Sequence, residues 1–336
     1  MKRNKARSDI GDGAASGIVP CGVGINYTIW ERYEKTLDGL LLACPHVRVS
    51  GKAGRDSPRA VAHKSRDAWG CLWHYPGMGL DGQVIEHPLD SWEKLRTWQA
   101  PSAVARVEAI VKEAEARLDV DRPQNASLEH GFLFLRLTYL RGFENFMIDV
   151  ADENPKLYAL CDIVSDYWYQ TTRAYLDCGA THVNAGDDLG LQDRLPIAPD
   201  AWRKLIKPAY ERIFDLARAR GATVYLHTDG YIVDIIPDLI EIGVTDLNPQ
   251  DLVNGLDNLV RLAKGKLHIS LDIDRQRITV FGTPEQVDAH IKNCIETLGS
   301  PQGGLSLVWG VYPGTPIENI EAGVRAMEKY QDLWVG

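Results

Sequence analysis

The sequence predicts an α/β fold of the (β/α)8 TIM-barrel class, in which parallel strands alternate with helices. In the second half of the chain, short apolar runs end abruptly in acidic, histidine or glycine residues, and a helix-like stretch follows each run. Such alternation indicates parallel β/α units. Polar residues confined to the carboxyl ends of strands are typical of the active-site face of this barrel. The segments with this build are residues 181–188, 223–230, 243–251, 267–274 and 304–313.

The first part of the chain has a less regular pattern, and it must contain two strands if the barrel is complete. Residues 1–20 are basic and then rich in glycine and alanine, which predicts a flexible tail. Residues 21–45 are predicted to form a helix and residues 46–51 a short strand. Residues 66–98 contain four of the nine tryptophans and an alternating QVIEH run. This pattern predicts a hairpin insertion lying over or beside the barrel mouth.

Further along the chain, strand and helix patterns alternate regularly. The run LEHGFLFLRL predicts a strand over residues 128–137. Gly179 ends one predicted helix, and Thr283 with Pro284 begins another, as capping preferences favour. We therefore predict one continuous domain over residues 21–336. From residue 101 onward, the predicted helices are residues 101–118, 153–179, 199–219, 232–243, 257–265, 283–299 and 316–333.

The composition is ordinary for a globular protein, with 45% hydrophobic and 25% charged residues in 336. A net charge of -9 and a pI near 5.5 argue against a nucleic-acid partner, which selects a basic face. No apolar run approaches the roughly 20 residues that span a bilayer, and the N-terminus lacks the apolar core of a secretory signal. The cysteines form no C-x-x-C motif, which predicts reduced, structural thiols and a cytoplasmic location. They are Cys21, Cys44, Cys71, Cys161, Cys178 and Cys294.

His227 and Asp229, in the motif HTDG, form the sharpest candidate pair. Residues two apart at a strand end point the same way, so both side chains can face the barrel mouth. A neutral imidazole beside a carboxylate suits a Zn²⁺ ligand pair or general acid–base catalysis. In the alternative reading, Asp229 caps the next helix and His227 hydrogen-bonds to a neighbouring strand.

Asp187 and Asp188, in the motif AGDDLG, are two adjacent carboxylates at one strand end. They repel each other unless a cation, a proton or an NH-rich helix start relieves them. One of the two carboxylates can cap a helix, and the other carboxylate then has no structural role. We therefore interpret at least one as catalytic.

Other polar residues follow the predicted strands, and each alone fits loop capping as well as binding. The strand ends of a barrel converge on one cavity, so together they predict an acidic cavity. Asp67 joins the catalytic candidates if the Trp-rich insertion folds over the mouth; otherwise it is a turn residue. The other residues of this kind are Asn248, Asp251, Asp272, Asp274 and Gln276, of which Asn248, Asp272 and Gln276 are predicted to bind substrate.

Trp309 and Tyr312 end the last predicted strand and could form an apolar wall for a flat substrate, or pack at the barrel top. Arg141 precedes a predicted helix start and is a candidate anion holder, with a surface role as the alternative. No role is assigned to the remaining histidines, including His130, which follows a predicted strand.

Several dispersed motifs occur in one order, and this order resembles the uroporphyrinogen decarboxylase superfamily over about residues 65–330. That superfamily has the (β/α)8 fold, in agreement with the strand and helix pattern. It contains decarboxylases and also corrinoid-dependent methyltransferases that demethylate methoxylated aromatics, methanol or methylamines. The motifs are DAWGCLW, GQVIEHPLDSWEKL, LRGFENFMIDVADENPKL, AGDDLG, HTDG and FGTPEQV.

The acidic strand ends favour the methyltransferase branch. A decarboxylase of a polycarboxylate needs an arginine-rich pocket, but residues 20–35 offer only Arg32. Burying carboxylates against a polyanion is strongly unfavourable. The expected function is transfer of a methyl group from a methoxylated, aromatic or similar small molecule to a corrinoid protein. The alternative is a decarboxylase of a tetrapyrrole or other carboxylic acid that uses Asp67 and Arg141.

The resemblance also implies a metal. Methyltransferases of this superfamily hold zinc through His-x-Cys and a later cysteine. Here His227 keeps the histidine, Asp229 stands where the first cysteine would fall, and the last strand has no thiol. A site without thiolates suits an oxygen leaving group better than a thiol acceptor. We expect zinc at His227 and Asp229 and a corrinoid carried by a partner protein, with no nucleic-acid or membrane partner; a homodimer is left open.

Overall fold

The computed structural model describes residues 17–116 and 125–335. These residues form two compact units. Unit 1 comprises the described residues up to Arg55 and from Gly255 onward, and unit 2 comprises those from Asp56 to Asn254. Most of the tail predicted at residues 1–20 and the end of the helix predicted at 101–118 lie outside the described residues. The single domain over residues 21–336 stays a prediction.

The strands of the described residues are three to seven residues long. They are β1 (Cys21–Ile25), β2 (Arg48–Ser50), β3 (His63–Arg66), β4 (Leu72–Tyr75), β5 (Gln83–Glu86), β6 (Asn125–His130), β7 (His182–Gly186), β8 (Thr223–Thr228), β9 (Asp246–Pro249), β10 (His268–Asp272) and β11 (Leu305–Val311).

Helices separate most of these strands. They are α1 (Tyr27–Ala43), α2 (Ala103–Glu115), α3 (Phe134–Arg141), α4 (Phe143–Ala151), α5 (Pro155–Asp177), α6 (Pro199–Leu205), α7 (Lys207–Ala219), α8 (Ile236–Glu241), α9 (Asp251–Asn254), α10 (Leu256–Leu262), α11 (Ile278–Phe281), α12 (Pro284–Leu298) and α13 (Ile317–Tyr330). Short 3-10 turns span Lys52–Asp56, Pro58–Ala60 and Trp92–Arg96.

Unit 2 contains a parallel sheet with the strand order β6-β7-β8-β9. Val183, Val224 and Leu247, one on each of the last three strands, are fully buried and form the centre of its core. Because the strands are parallel, their carboxyl ends share one edge of the sheet. The loops that follow β6, β7, β8 and β9 therefore begin side by side, and they carry the site described below.

The Trp-rich part of unit 2 forms a separate antiparallel sheet, β3-β4-β5. Trp69, in the turn between β3 and β4, is 1% exposed. Its ring meets Tyr167 of α5 edge-on at 5.0 Å and stacks with Trp98 at 6.4 Å. These large buried rings fix the insertion on α5, because aromatic side chains bury much apolar area each.

Unit 1 contains the parallel order β2-β1-β11-β10. Val23, Leu307 and Leu271 are buried at its centre. Four parallel strands in each unit, alternating with helices, confirm the predicted α/β fold of the (β/α)8 class. In the described ranges, no helix is both long and apolar enough to cross a membrane.

Two local predictions are wrong. Residues 21–45 do not form one helix, because Cys21–Ile25 is a strand paired with both β2 and β11. The run at 128–137 is not one strand either: β6 ends at His130, and α3 begins at Phe134. Arg141 accordingly is the last residue of a helix, α3, and the helix predicted to start beside it, α4, begins at Phe143. In both cases the deciding interactions come from residues distant in sequence, which a local pattern does not contain.

Candidate active site in unit 2

The loops after β7 and β8 touch through two glycines. A Cβ atom on Gly190 would lie 2.3 Å from the backbone nitrogen of Tyr231, and one on Gly230 would lie 2.2 Å from the carbonyl carbon of Gly190. Gly230 also has a φ of +85°. The Gly190 N–H donates to the carbonyl oxygen of Asp229 at 3.1 Å. Only glycine permits this approach, and it brings the motifs AGDDLG and HTDG together.

His227 lies near the end of β8, and its imidazole is held by β9. Its Nδ1 lies 2.6 Å from Oδ1 of Asn248, and that oxygen also accepts the Tyr225 hydroxyl at 2.8 Å. An amide oxygen only accepts, so Nδ1 of His227 carries the proton. The Nε2 atom therefore presents its lone pair on the other side of the ring.

Two carboxylates face that Nε2 atom. It lies 3.8 Å from Oδ1 of Asp188 and 3.5 Å from Oδ1 of Asp229. The Asp229 N–H donates to Oδ1 of Asp188 at 3.2 Å, which fixes the Asp188 carboxylate relative to the β8 loop. The structure thus brings together four of the residues proposed from the sequence: His227, Asp188, Asp229 and Asn248.

His130, to which the sequence analysis assigned no role, completes this cluster. Its Nε2 lies 3.2 Å from Oδ1 of Asp188, and its ring centroid is 5.5 Å from that of His227. The hydrogen bond to Asp188 raises the pKa of the His130 imidazole, against the opposing effect of burial. Its position at the end of β6 was the available signal, because the end of a parallel strand faces the same edge as its neighbours.

Asp188 is ionised in this setting. Burial alone would raise its pKa, but the hydrogen bond from His130 and the charge of His130 hold the pKa below the usual value of an aspartate. A carboxylate that stays charged between two imidazoles can hold a cation or stabilise a protonated ring.

Asp187 has a structural position instead. It is fully buried and accepts the N–H groups of Leu133 and Leu135 and the hydroxyl of Tyr210. These donors belong to the start of α3 and to α7, so Asp187 caps a helix that precedes it in the chain. Burial raises the pKa of Asp187 to about 6, although the hydrogen bonds oppose this. Of the adjacent carboxylates, Asp188 is the one that faces the imidazoles.

Asp67 and Arg141 are both occupied by other protein groups. Asp67 accepts the Trp73 indole at 3.0 Å and Arg136 at 2.7 Å, and it accepts backbone N–H groups in its own turn. Arg141 is 4% exposed, pairs with Asp149 at 2.7 Å and lies over the Trp92 ring at 4.1 Å. These contacts favour the turn role for Asp67 and a structural role for Arg141.

Asp251 is buried at the start of α9 in unit 2, and the remaining predicted residues lie in unit 1. Asp272 is 4% exposed at its side chain and pairs with Arg275 at 2.8 Å. The Arg275 guanidinium lies 5.7 Å from the centroid of the Tyr312 ring. Asp274 accepts the N–H groups of Gln276, Arg277 and Thr279 and so orders its own loop.

Trp309 is 1% exposed, and its ring lies against Gly323 of α13. A Cβ atom at Gly323 would approach the ring to 2.5 Å. This contact favours the packing role of Trp309 over a substrate wall. Tyr312, by contrast, is 38% exposed.

The cluster around Asp188 has two chemical capacities. Nitrogen and carboxylate donors at these separations suit a divalent transition-metal ion. The same imidazoles can also move a proton to or from a substrate oxygen.

Comparisons with known proteins agree with the fold. The model of the uroporphyrinogen decarboxylase (URO-D) family matches residues 78–330. The curated uroporphyrinogen decarboxylase of Synechococcus sp. (strain CC9605) is 26% identical over 177 residues, which cover 52% of this chain and 48% of the relative. The chain thus spans about half the length of the curated relative it matches. A solved methyltransferase from Methanosarcina mazei has a TM-score of 0.59 at 17% identity, covering 95% of this chain and 97% of that one, which shows a shared fold.

Proposed function

Because the chain belongs to the uroporphyrinogen decarboxylase family, an enzyme family, we propose which of its reactions this chain performs. We propose that it takes a methyl group from a methoxylated, aromatic or similar small molecule and passes it to a corrinoid protein. The methyltransferase from Methanosarcina mazei that shares the fold supports this reaction class by analogy only.

The observation that carries the proposal is the setting of His227. Its Nε2 faces Asp188 at 3.8 Å and Asp229 at 3.5 Å, while Asn248 holds Nδ1. This arrangement concentrates negative charge and a directed lone pair at the carboxyl edge of the sheet. Such a site attracts a cation, repels a polycarboxylate and does not repel a neutral ether.

The reaction breaks the bond between the methyl carbon and the ether oxygen. The electron pair of that bond stays with the oxygen, and the reduced cobalt of the partner supplies the pair for the new bond to carbon. The departing oxygen gains negative charge and then takes up a proton from water. His227 would lie next to this oxygen, and Asn248 would fix the orientation of its ring. Asp188 and Asp229 would balance the positive charge that develops or binds at the site.

The residues present fit a zinc ion. His227 offers Nε2, and the carboxylates of Asp229 and Asp188 lie within 3.8 Å of it, so nitrogen and oxygen donors face a common point. Bound there, zinc would supply Lewis-acid stabilisation of the departing oxygen. The protein contributes the orientation of the ring and a negative environment that retains the ion.

Decarboxylation of a tetrapyrrole or smaller acid is the second candidate, and the 26% identity to a uroporphyrinogen decarboxylase favours it. The two residues assigned to this reaction, however, already form ion pairs within the protein: Arg141 with Asp149, and Asp67 with Arg136. A substrate carboxylate would have to displace a buried ion pair at either position, which is costly.

A paired assay tests the proposal. The full chain is mixed with a panel of methoxylated aromatics and a reduced corrinoid protein, and the phenol product and the cobalt absorption are followed. We expect methyl transfer that falls at least about 100-fold in His227→Gln but not in His182→Asn, whose imidazole contacts Thr181 at the opposite end of β7. Uroporphyrinogen is assayed in parallel. Decarboxylation without methyl transfer, or equal rates in His227→Gln, contradicts the proposal.

A further inference from the structure

We propose that His130, Asp188 and His227 together bind one divalent ion of the zinc class, with His130 as a ligand. The role of this ion in methyl transfer rests on the proposed function, whereas its binding rests on the geometry of unit 2 alone. His130 lies outside the pair that the sequence predicted to hold the metal.

The three donor atoms surround one point. Nε2 of His130 lies 3.2 Å from Oδ1 of Asp188, and Nε2 of His227 lies 3.8 Å from the same oxygen. All three donor atoms lie within 4.8 Å of one another. Two ligands of a tetrahedral zinc ion with bonds of about 2.0–2.1 Å are separated by about 3.4 Å. The side chains therefore need only small rotations to share an ion.

The backbone of three neighbouring strands builds this arrangement. His130, Gly186 and His227 lie in register across β6, β7 and β8. The register between β6 and β7 shifts after Ser127, so that an extra residue of β6 precedes His130. A bulge of this kind re-aims the side chain at the end of a strand.

Gly186 provides the space between the two imidazoles. A Cβ atom on Gly186 would lie 2.9 Å from Cδ2 of His130 and 3.7 Å from Cβ of His227. Because the middle strand has no side chain at this position, the imidazoles on either side approach to 5.5 Å between centroids. The bulge and the glycine have a common effect, which is to bring the rings to Asp188.

The donor atoms are also oriented and accessible for metal binding. Asn248 binds Nδ1 of His227 and leaves Nε2 as the lone-pair atom, which is the usual outer contact of a metal-bound histidine. Two imidazoles and one carboxylate form a donor set that zinc uses in catalytic sites, where a fourth position stays open. The side chains of His130, Asp188 and His227 are 50%, 30% and 22% exposed, which leaves that position accessible.

The experiment measures the ion and not the reaction. The full chain is treated with chelator, titrated with Zn²⁺ and with Co²⁺, and analysed by elemental content, by the visible spectrum of Co²⁺ and by the zinc-dependent rise in melting temperature. The variants are His130→Asn, Gly186→Ala and the control His182→Asn. Gly186→Ala removes no donor atom, so a loss of affinity in this variant reports the approach of the two rings.

We expect one ion per chain, with affinity at least about tenfold lower in His130→Asn and Gly186→Ala and unchanged in His182→Asn. Wild-type protein that binds no zinc, or His130→Asn that binds it as tightly as wild type, overturns the site. His130 is half exposed, so this variant is expected to fold even if Gly186→Ala does not. Zinc binding without methyl transfer contradicts only the proposed function, and methyl transfer by the chelated, zinc-free chain contradicts only the role of the ion in that reaction.

Discussion

His227 and Asn248 lie directly opposite each other on β8 and β9, and Nδ1 of the histidine lies 2.6 Å from Oδ1 of the amide. Asn248 is 3% exposed, and the Tyr225 hydroxyl donates to the same oxygen. The orientation of the imidazole is thus set by a buried cross-strand pair and not by solvent. The chemical identity of residue 248 should therefore affect a reaction that takes place on the other side of the ring.

Replacing Asn248 by Leu should lower the rate of methyl transfer and the zinc affinity by about 10–100-fold, because the imidazole loses its acceptor. Asn248→Asp keeps an acceptor oxygen and should restore most of the zinc affinity. Tyr225→Phe removes the other donor and leaves the bond to His227, so it should change both quantities little. Single-turnover rates and zinc titrations measure the effects. Equal zinc affinities in Asn248→Leu and wild type would show that this contact does not orient the ring.

The contact between Gly190 and Gly230 yields a prediction about the loops. Gly230→Ala places a Cβ 2.2 Å from the backbone of Gly190 and also forces alanine to a φ of +85°. Gly221→Ala is a matched control, since its φ is +68° but no atom lies within 4 Å of its Cβ. The control should lose only about 1–2 kcal/mol from the left-handed backbone.

Gly230→Ala should lose clearly more stability than this control, and it should also separate Asp188 from His227. Urea unfolding of both variants measures the free energy, and zinc titration measures the site. A Gly230→Ala protein with the stability of Gly221→Ala and wild-type zinc affinity would mean that the loops tolerate the extra atom.

Part of this site was predictable from the sequence for a physical reason. His227 and Asp188 follow apolar runs at strand ends, and parallel strands bring such positions to one edge. The role of His130 was not predicted, because the direction of its side chain depends on a register shift between β6 and β7. That shift is a property of strand pairing, and no local pattern around His130 contains it.

Burial explains the other differences. The alternatives for Arg141 were anion binding and a surface role, but the side chain is enclosed by Asp149, Leu89 and Trp92, two of them some 50 residues earlier in the chain. β1 was missed because CGVGI is short and contains two glycines, and its strand character comes from pairing with β2 and β11. Positions whose conformation follows from local pattern were predictable, and positions fixed by distant partners were not.

A structural role for Arg141 predicts a large loss of stability. Arg141→Met leaves the Asp149 carboxylate buried at 6% exposure without its cation, which typically costs about 3–5 kcal/mol. Arg212 offers a matched control, because it also pairs with an aspartate, Asp166, and lies over the Tyr169 ring at 4.4 Å, but is 45% exposed. Arg212→Met should cost no more than about 1 kcal/mol.

Urea unfolding distinguishes these outcomes. If Arg141 instead binds the substrate as an anion holder, Arg141→Met would unfold like the wild type and raise the KM. That result would return the decarboxylase alternative to consideration.

Asp238 of α8 should make the stability of the protein depend on pH. It accepts Arg203 at 2.9 Å and Lys207 at 2.8 Å, and its side chain is 10% exposed. Burial opposes its ionisation, but the hydrogen bonds from Arg203 and Lys207 outweigh burial and lower the pKa of Asp238 below its ordinary value. A carboxyl whose pKa is lower in the folded state stabilises the protein above the unfolded pKa, and this contribution is lost as the pH falls through the folded value.

Asp238→Asn should therefore be less stable than wild type by on the order of 2 kcal/mol at pH 7, and the difference should shrink below about pH 4.5. Asp200→Asn is the control, since Asp200 also pairs with Arg203 but is 91% exposed, and it should change little at any pH. Urea unfolding measures the free energy of unfolding of the wild type and the two variants, from pH 7 down to the lowest pH at which the protein remains folded. A difference for Asp238→Asn that stays constant with pH would mean that its effect comes from packing and not from the ionised carboxylate, because only the latter is neutralised by acid.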